Sequence, residues 1–423
     1  MKLTSFWTDD YPRPADLPVS AELPTETEVA IIGGGFTGLS AARTLAKSGT
    51  SVVVLERETI GWGASSRNAG MTGTGLKAGM PDIFKRYGKD YGLKFWQASL
   101  DMLELIKELD AEEGIEFDWQ QKGQLGLAFK ASHFESMKSS VKWYQDQMGE
   151  EIMLVPPSEI RSGIGSDVFH GGVFDKHGAS LHPAKLVFGL AEVAARYGAL
   201  LCEEAGVFEI DKEASGFTLH TIKGVLKAKN IIVATNGYTD RLVPKLQPKV
   251  FSVGSYCIVT DPLPIDLQEE ISPKDYVFYD SKFFLNYFRL TPDGRLLWGG
   301  RNNLSTNLDL HESAKTLRAQ MVRAFPELKN EIITHSWTGQ VGLTFDLMPN
   351  IGIEDGIHYA FGYGGHGLHT ALYLGREIAW LITGQKKSSP FMEIPHQTYF
   401  FYRNKPWFLP YAISYYRLKD WVS

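Results

Sequence analysis

The chain has 423 residues, 43% hydrophobic and 22% charged, the balance of a globular protein large enough for two interleaved domains. Its formal net charge of −6 argues against a nucleic-acid partner, because no basic surplus exists to neutralise phosphates. The two cysteines, Cys202 and Cys257, offer neither a disulfide framework nor a metal-ligand cluster, and fit a reducing compartment.

In chain order, Met1 to Pro24 carries Pro12, Pro14, Pro18 and Pro24 and reads as an extended arm on the surface of the fold. It lacks the regions of a signal peptide, and no later run is long enough to span a membrane, so a cytoplasmic location is expected. Glu28 to Ile32 has the β-branched, apolar pattern of a buried strand. Gly33, Gly35 and Gly38 follow in G-x-G-x-x-G spacing around Phe36 and Thr37. Leu39 to Lys47 reads as a small-residue helix with Gly49 past its end. A second apolar strand, Ser51 to Leu55, ends in Glu56, beside Arg57 and about 20 residues beyond the glycines.

Each part of that spacing has a chemical reason. Gly33 turns the chain off the strand, Gly35 lets backbone approach a pyrophosphate, and Gly38 lets helix and strand pack closely. The helix start offers unpaired amides and partial positive charge to the pyrophosphate. Glu56 stands where an acid accepts hydrogen bonds from the adenosine ribose. Together they predict a dinucleotide-binding βαβ unit.

Beyond it, Asp90 to Glu113 shows helical periodicity through Leu93, Trp96, Leu100, Leu103 and Ile106. Gly123 to Phe129 alternates as a strand, and Ala131 to Met148 reads as a helix. His182 and Pro183 open another helix through Tyr197, which gives His177 and His182 a cap or surface role. Val207, Phe208 and Ile210 form one strand and Phe217 to Thr221 the next. Asn230 to Gly237 is an apolar strand suited to a sheet covered on both faces. Val250 to Thr260 and Lys282 to Gly300 read as aromatic β-structure, with a hairpin turn at Thr291–Gly294 and a helix from His311 to Phe325.

This order predicts an α/β protein. A discontinuous Rossmann-like domain is expected at 1–80, 150–245 and 330–390. An interleaved α+β substrate domain on a mixed antiparallel sheet is expected at 80–150 and 245–330. Residues 390–423 form an aromatic tail, suited to a membrane or partner or, more simply, to packing against the protein's own second domain.

A second glycine turn, Gly362 to Gly367, follows the strand His358–Phe361 and opens the helix Leu368–Thr383. No acid-terminated strand comes after it, so a second dinucleotide site is disfavoured. The alternative is a helix start aimed at the pyrimidine edge of a flavin, which gains negative charge on reduction.

With both ends in view, the chain resembles the D-amino-acid oxidase/glycine oxidase superfamily of FAD-dependent oxidoreductases, most closely its γ-glutamylputrescine oxidase branch. The resemblance rests on Trp7 and the proline arm, the first glycine motif, and Gly61–Gly70 (GWGASSRNAG). It continues through Thr291–Gly300 (TPDGRLLWGG), Trp337–Gly339 with Asp346 and Pro349, and Gly362–Gly367. It implies a glutathione-reductase-type FAD domain. Gly63, Ala64, Ser65, Ser66, Arg67, Asn68, Ala69 and Gly70 would wrap the flavin and reach the pyrophosphate. Val207 would hold the adenine, and Thr235, Asn236 and Gly237 would pass near the cofactor. Gly339, Gly365, His366, Gly367 and Leu368 would line the far edge of the ring.

Two departures matter. Sarcosine oxidases of this superfamily attach FAD through a cysteine near the segment that is Gly339–Thr344 here, which has none. Non-covalent FAD is therefore expected. A substrate-anchoring lysine of those enzymes is replaced by His369, and the lysine linked to oxygen activation by the apolar Leu297–Trp298 region.

The expected reaction is oxidation of a small amine or amino acid to an imine by hydride transfer to flavin, then hydrolysis, with dioxygen or another acceptor reoxidising the cofactor. Neither nucleic acid nor metal is expected to take part. Candidates for the substrate pocket are His369, Arg301, Tyr256, Tyr287 and Trp298, with Arg289 and Trp337. Each has a structural alternative: tyrosines and tryptophans in strands are mostly core, and Arg289 has Asp280 or Asp293 as an ion-pair partner. A non-oxidase flavoprotein of the same fold, a dehydrogenase subunit or a tRNA-modifying protein, is the other reading.

Overall fold

Val29 to Ile32 are all apolar and all buried, and they make Glu26–Ile32 the central strand of an eight-stranded sheet. It pairs in parallel with Val52–Leu55 on one side and Gly224–Val233 on the other. Leu200–Cys202 and Ile357–Phe361 extend the parallel sheet at its two ends. Asn350–Glu354 adds an antiparallel edge, and Val207–Glu213 and Gly216–Thr221 form a meander with Gly224–Val233. Side chains alternate across the sheet. Val29, Ile31, Val52 and Val54 face one core, whereas Ala30, Ile32, Val53 and Leu55 face another built with Phe217, Leu219 and Leu246.

The first of these cores is covered by the helices Phe36–Lys47, Pro183–Arg196 and Gly367–Ile382. The helices approach closely because Gly375 has no side chain: a Cβ there would stand 2.3 Å from the Thr37 carbonyl oxygen. Ser40 Oγ donates to the Leu372 carbonyl at 2.6 Å in the same crossing. This is the predicted βαβ unit, with its helix beginning at Phe36 rather than Leu39.

The computed structural model describes residues 1–150, 152–300, 304–400, 402–403 and 406–422, with backbone alone for 417 and 419–422. A second eight-stranded sheet runs Ile333–Leu343, Phe251–Thr260, Leu296–Gly300, Asn286–Leu290, Val277–Asp280, Gln124–Leu127, Gly172–Asp175, Met153–Val155. All its pairings are antiparallel except Val277–Asp280 with Gln124–Leu127. Three of its strands, at 153–155, 172–175 and 333–343, come from segments expected in the cofactor half. Ile333–Leu343 joins the sheet through its pairing with Phe251–Thr260, and Gly172–Asp175 joins through Gln124–Leu127, carrying Met153–Val155 at the edge. The helix Leu310–Ala324 packs on the outer face of this sheet through Leu317 and Met321.

The helical run Met80–Glu113 starts ten residues before the expected Asp90 and is broken at Gly88, whose φ of 82° is left-handed. Ala131–Met148 forms as expected, closed by Gly149 in the left-handed conformation. His182 caps Pro183–Arg196, its Nδ1 accepting from the Lys185 amide at 3.2 Å. The proline-bearing part of the N-terminal arm, 12–24, lies largely on the surface as expected, but the arm is not extended throughout: Phe6–Asp10 is a short helix, and Phe6 and Trp7 are buried. The tail packs on the chain itself. Tyr402 and Phe408 join Phe251 and Phe345 in an aromatic cluster, and Tyr416 of the helix Leu409–Val422 stacks on Phe283. Among the described residues no helix is long and apolar enough to cross a membrane.

Candidate active site

A cavity of about 610 Å³ opens where Ile32, Leu55 and Ala234, at the carboxyl ends of three parallel strands, meet the second sheet. Ligands of open α/β sheets bind at such ends, because loops there diverge and leave a crevice.

At one end lies the first glycine turn. Gly33 has φ +113°, and a Cβ on it would stand 2.9 Å from the Ala234 carbonyl oxygen. A Cβ on Gly35 would stand 2.8 Å from Ser65 Oγ, which itself accepts the Phe36 amide at 2.9 Å. Gly38 is not in the cavity wall; its Cβ would fall 2.0 Å from the Gly33 carbonyl, so it serves the packing of helix on strand. Glu56 Oε2 accepts the Gly34 amide at 2.7 Å and Oε1 the Glu58 amide at 2.9 Å. Burial raises its carboxyl above the ordinary range despite those bonds. Phe36, Thr37, Arg57, Gly63 and Val207 complete this end.

The segment Ser66–Ala69 is held by four side-chain donors, one to each successive carbonyl. Ser5 Oγ donates to Ser66 at 2.8 Å, and Trp337 Nε1 to Arg67 at 2.9 Å. Trp7 Nε1 donates to Asn68 at 2.7 Å, and Arg289 Nε to Ala69 at 2.9 Å. The carbonyls are thus satisfied on the side away from the cavity, while the amides of Asn68 and Ala69 find no acceptor among the described residues. Ala64, Ser65, Arg67, Asn68 and Ala69 line the cavity. Ser66 does not: its hydroxyl donates to Gly61. Gly70 does not either, since its α-carbon faces the Leu181 carbonyl and the Arg289 guanidinium.

The second glycine turn faces the same cavity. Gly365, His366, Gly367, Leu368 and His369 line it at the start of the helix Gly367–Ile382. The two turns are tied together: Thr37 and Tyr363 hydroxyls lie 2.7 Å apart, and Asn236 Oδ1 accepts the Gly362 amide at 2.9 Å. Thr235 and Asn236 line the cavity, whereas Gly237 packs against Gln340 and Gly342. Gly339 lines it from the second sheet. His369 is 2% exposed; its Nδ1 lies 2.7 Å from Thr72 Oγ1, and its Nε2 has no hydrogen-bond partner among the described residues. Burial pushes its imidazole down to about 4.

Of the proposed substrate-pocket residues, His369 and Tyr287 reach the cavity. Tyr287 bonds Ser255 Oγ at 2.8 Å and contacts Cys257 Sγ at 3.4 Å. Tyr256 and Trp298 do not reach it. Both point to the opposite face of the sheet, where Trp298 stacks on Phe288 and the Tyr256 hydroxyl donates to the Ser305 carbonyl. Trp337 and Arg289 do not line the cavity either; they are spent on the Arg67 and Ala69 carbonyls. Arg289 pairs with neither Asp280 nor Asp293, which bind Lys282 and Arg295. Its guanidinium, held down to about 10 by burial, instead gives its second donor to the Leu181 carbonyl at 2.7 Å. Arg301 lies outside the described residues.

Sequence reasoning missed the far end of the cavity, formed by Thr72, Thr74, Gln124, Tyr144, Tyr279 and Leu285. A signal existed in two strand glycines. Gly299 stands opposite Tyr287, and a Cβ there would collide with its ring at 2.0 Å; Gly126 stands opposite Tyr279, 2.7 Å from its hydroxyl. Each glycine gives a tyrosine ring room to lie across the sheet.

These residues fit FAD on structural grounds. Gly35, whose missing side chain leaves a cradle, Asn68 and Ala69, whose amides find no acceptor among the described residues, and His369, whose Nε2 finds none there either, all line one cavity. The model of the family "DAO: FAD dependent oxidoreductase" matches residues 28–381. The γ-glutamylputrescine oxidoreductase of Escherichia coli K12 is 32% identical over 399 residues, covering 93% of this chain and 92% of that protein. A probable oxidoreductase OrdL of Haemophilus influenzae is 30% identical over 387 residues, covering 90% and 88%. The crystal structure of glycine oxidase from Geobacillus kaustophilus shares the fold, with a TM-score of 0.76, 22% identity, and coverage of 88% of this chain and 100% of that one.

Proposed function

The chain belongs to the DAO family of FAD-dependent oxidoreductases acting on amines or amino acids, and from that premise we propose that it oxidises an amine with an extended, γ-glutamylputrescine-like chain to an imine, which water then hydrolyses. The observation that carries this reading is the continuity of the cavity. It runs from the Gly35 and Glu56 cradle past Ala69 and His369 to a wall of Tyr144, Tyr279 and Tyr287.

Bound non-covalently, FAD supplies the hydride acceptor, so the chain needs no acid–base pair of its own. Its residues orient and dry the site. The Asn68 and Ala69 amides and the start of the Gly367–Ile382 helix offer donors where negative charge accumulates. Tyrosine faces exclude water and suit an aliphatic or cationic chain. His369, neutral through burial, offers a polar atom without adding a charge. Both cysteines are free and buried, which supports a reducing compartment, and we place the reaction in the cytoplasm.

Anaerobic mixing with a panel of amines, followed by bleaching of the flavin band, tests the reading. γ-Glutamylputrescine is expected to bleach it with higher efficiency than sarcosine, glycine or proline. Sarcosine or glycine leading by a wide margin would remove the extended-chain assignment. Bleaching by no amine or amino acid would remove the oxidation itself.

A further inference from the structure

We propose that Thr72 is a positioning residue that sets the tautomer of His369, so that Nε2–H points into the cavity as a neutral donor for a carboxylate or carbonyl oxygen of the substrate. The inference rests on the reading of this cavity as the site of amine oxidation, and it follows from where one proton can go.

Thr72 Oγ1 lies 2.7 Å from His369 Nδ1 and has no other partner among the described residues. Both side chains are 2% exposed. A buried hydroxyl proton needs an acceptor, and Nδ1 is the one within reach, so the hydroxyl donates and Nδ1 carries the lone pair. A neutral imidazole then bears its proton on Nε2. That atom is buried, lacks a partner among the described residues and belongs to a side chain that lines the cavity. The reverse arrangement, Nδ1–H donating to Oγ1, strands the hydroxyl proton and turns Nε2 into an acceptor.

The geometry is stiff at both ends. Thr72 is β-branched and lies in the short strand Met71–Thr72, paired in register with Ala179–Ser180. His369 sits in the first turn of the Gly367–Ile382 helix. The bond therefore joins the end of the flavin loop to the start of that helix. A neutral donor of fixed direction recognises an oxygen acceptor by hydrogen bonding and leaves an approaching amine unrepelled. A lysine in its place would offer a mobile full charge.

The test compares the holoenzyme with T72V, which removes only the hydroxyl at constant shape, and T72S, which keeps it. Butyrate, a carboxylate with no amine to oxidise, is titrated into the oxidised holoenzymes and followed by perturbation of the flavin spectrum. T72V is expected to weaken butyrate by about tenfold, the loss of one well-oriented hydrogen bond. T72S should stay near wild type, with FAD content equal in all three. In turnover, T72V should raise KM more for a carboxylate-bearing amine than for butylamine. Equal butyrate affinity in T72V, or T72S behaving like T72V, overturns the proposal. Butyrate needs no oxidation, so a failure of the amine panel leaves this measurement intact.

Discussion

Trp7 and Asn68, 61 positions apart, are joined by a 2.7 Å hydrogen bond from the indole Nε1 to the loop carbonyl. The same indole lies 5.0 Å beneath the guanidinium of Arg289, which holds the next carbonyl. The N-terminal arm is thus a structural support of the Ser66–Ala69 loop, and W7F should expose this. The ring remains, one buried carbonyl loses its donor, and FAD affinity is expected to fall about tenfold. Equilibrium titration of FAD into the stripped protein measures it; unchanged affinity would mean the arm merely covers the loop.

Gly35→Val should abolish FAD binding while far-UV circular dichroism stays close to wild type. The first added carbon already stands 2.8 Å from Ser65 Oγ, and valine adds two more. A loss of at least about 100-fold in affinity is expected. A yellow, fully loaded variant would show that this turn is not the phosphate site.

Acid or heat denaturation should release intact FAD into the supernatant. Residues 339–344 carry no cysteine. Cys257, which contacts the cavity-lining Tyr287, has its thiol pushed up to about 12 by burial, far from the reactive thiolate. Flavin that precipitates with the chain would refute this.

His369 should make stability depend on pH in a defined window. Its folded pKa, about 4, lies below the ordinary value of 6.5, so between those limits the unfolded chain binds the extra proton. Its contribution is therefore fully present above pH 6.5 and is lost as pH falls toward 4, by about 3 kcal/mol. Urea unfolding of wild type and H369Q at pH 7 and pH 4.5, with FAD saturating, isolates the effect. The gap between the two proteins should shift in favour of H369Q at the lower pH; a constant gap would place His369 in a solvated setting.

Local patterns were legible because the physics that makes them is local. The run from Val29 through Gly38 to Glu56 specifies strand, turn, helix and strand within about 30 residues, and the structure places Gly33, Gly35 and Glu56 around one cavity end. The Ala131–Met148 helix likewise follows from periodicity and its closing glycine. The prolines of the arm mark its exposed part, whereas the burial of Trp7 is not local: its partners Asn68 and Arg289 lie far along the chain.

The choice among aromatic residues of the second sheet was not local. Tyr256, Tyr287 and Trp298 sit in strands of similar composition, and by sequence each is as fit to line a pocket as the next. Strand pairing sets Tyr287 opposite Gly299 and Cys257 opposite Gly299, one row facing the cavity. The next row, Ile258, Trp298 and Phe288, faces the opposite core together with Tyr256. Side chains in a strand alternate with period two, so a register shift of one residue exchanges the two rows. The sequence alone determined which residue types stood on those strands; only the pairing of strands distant in sequence decided which of them met the cavity.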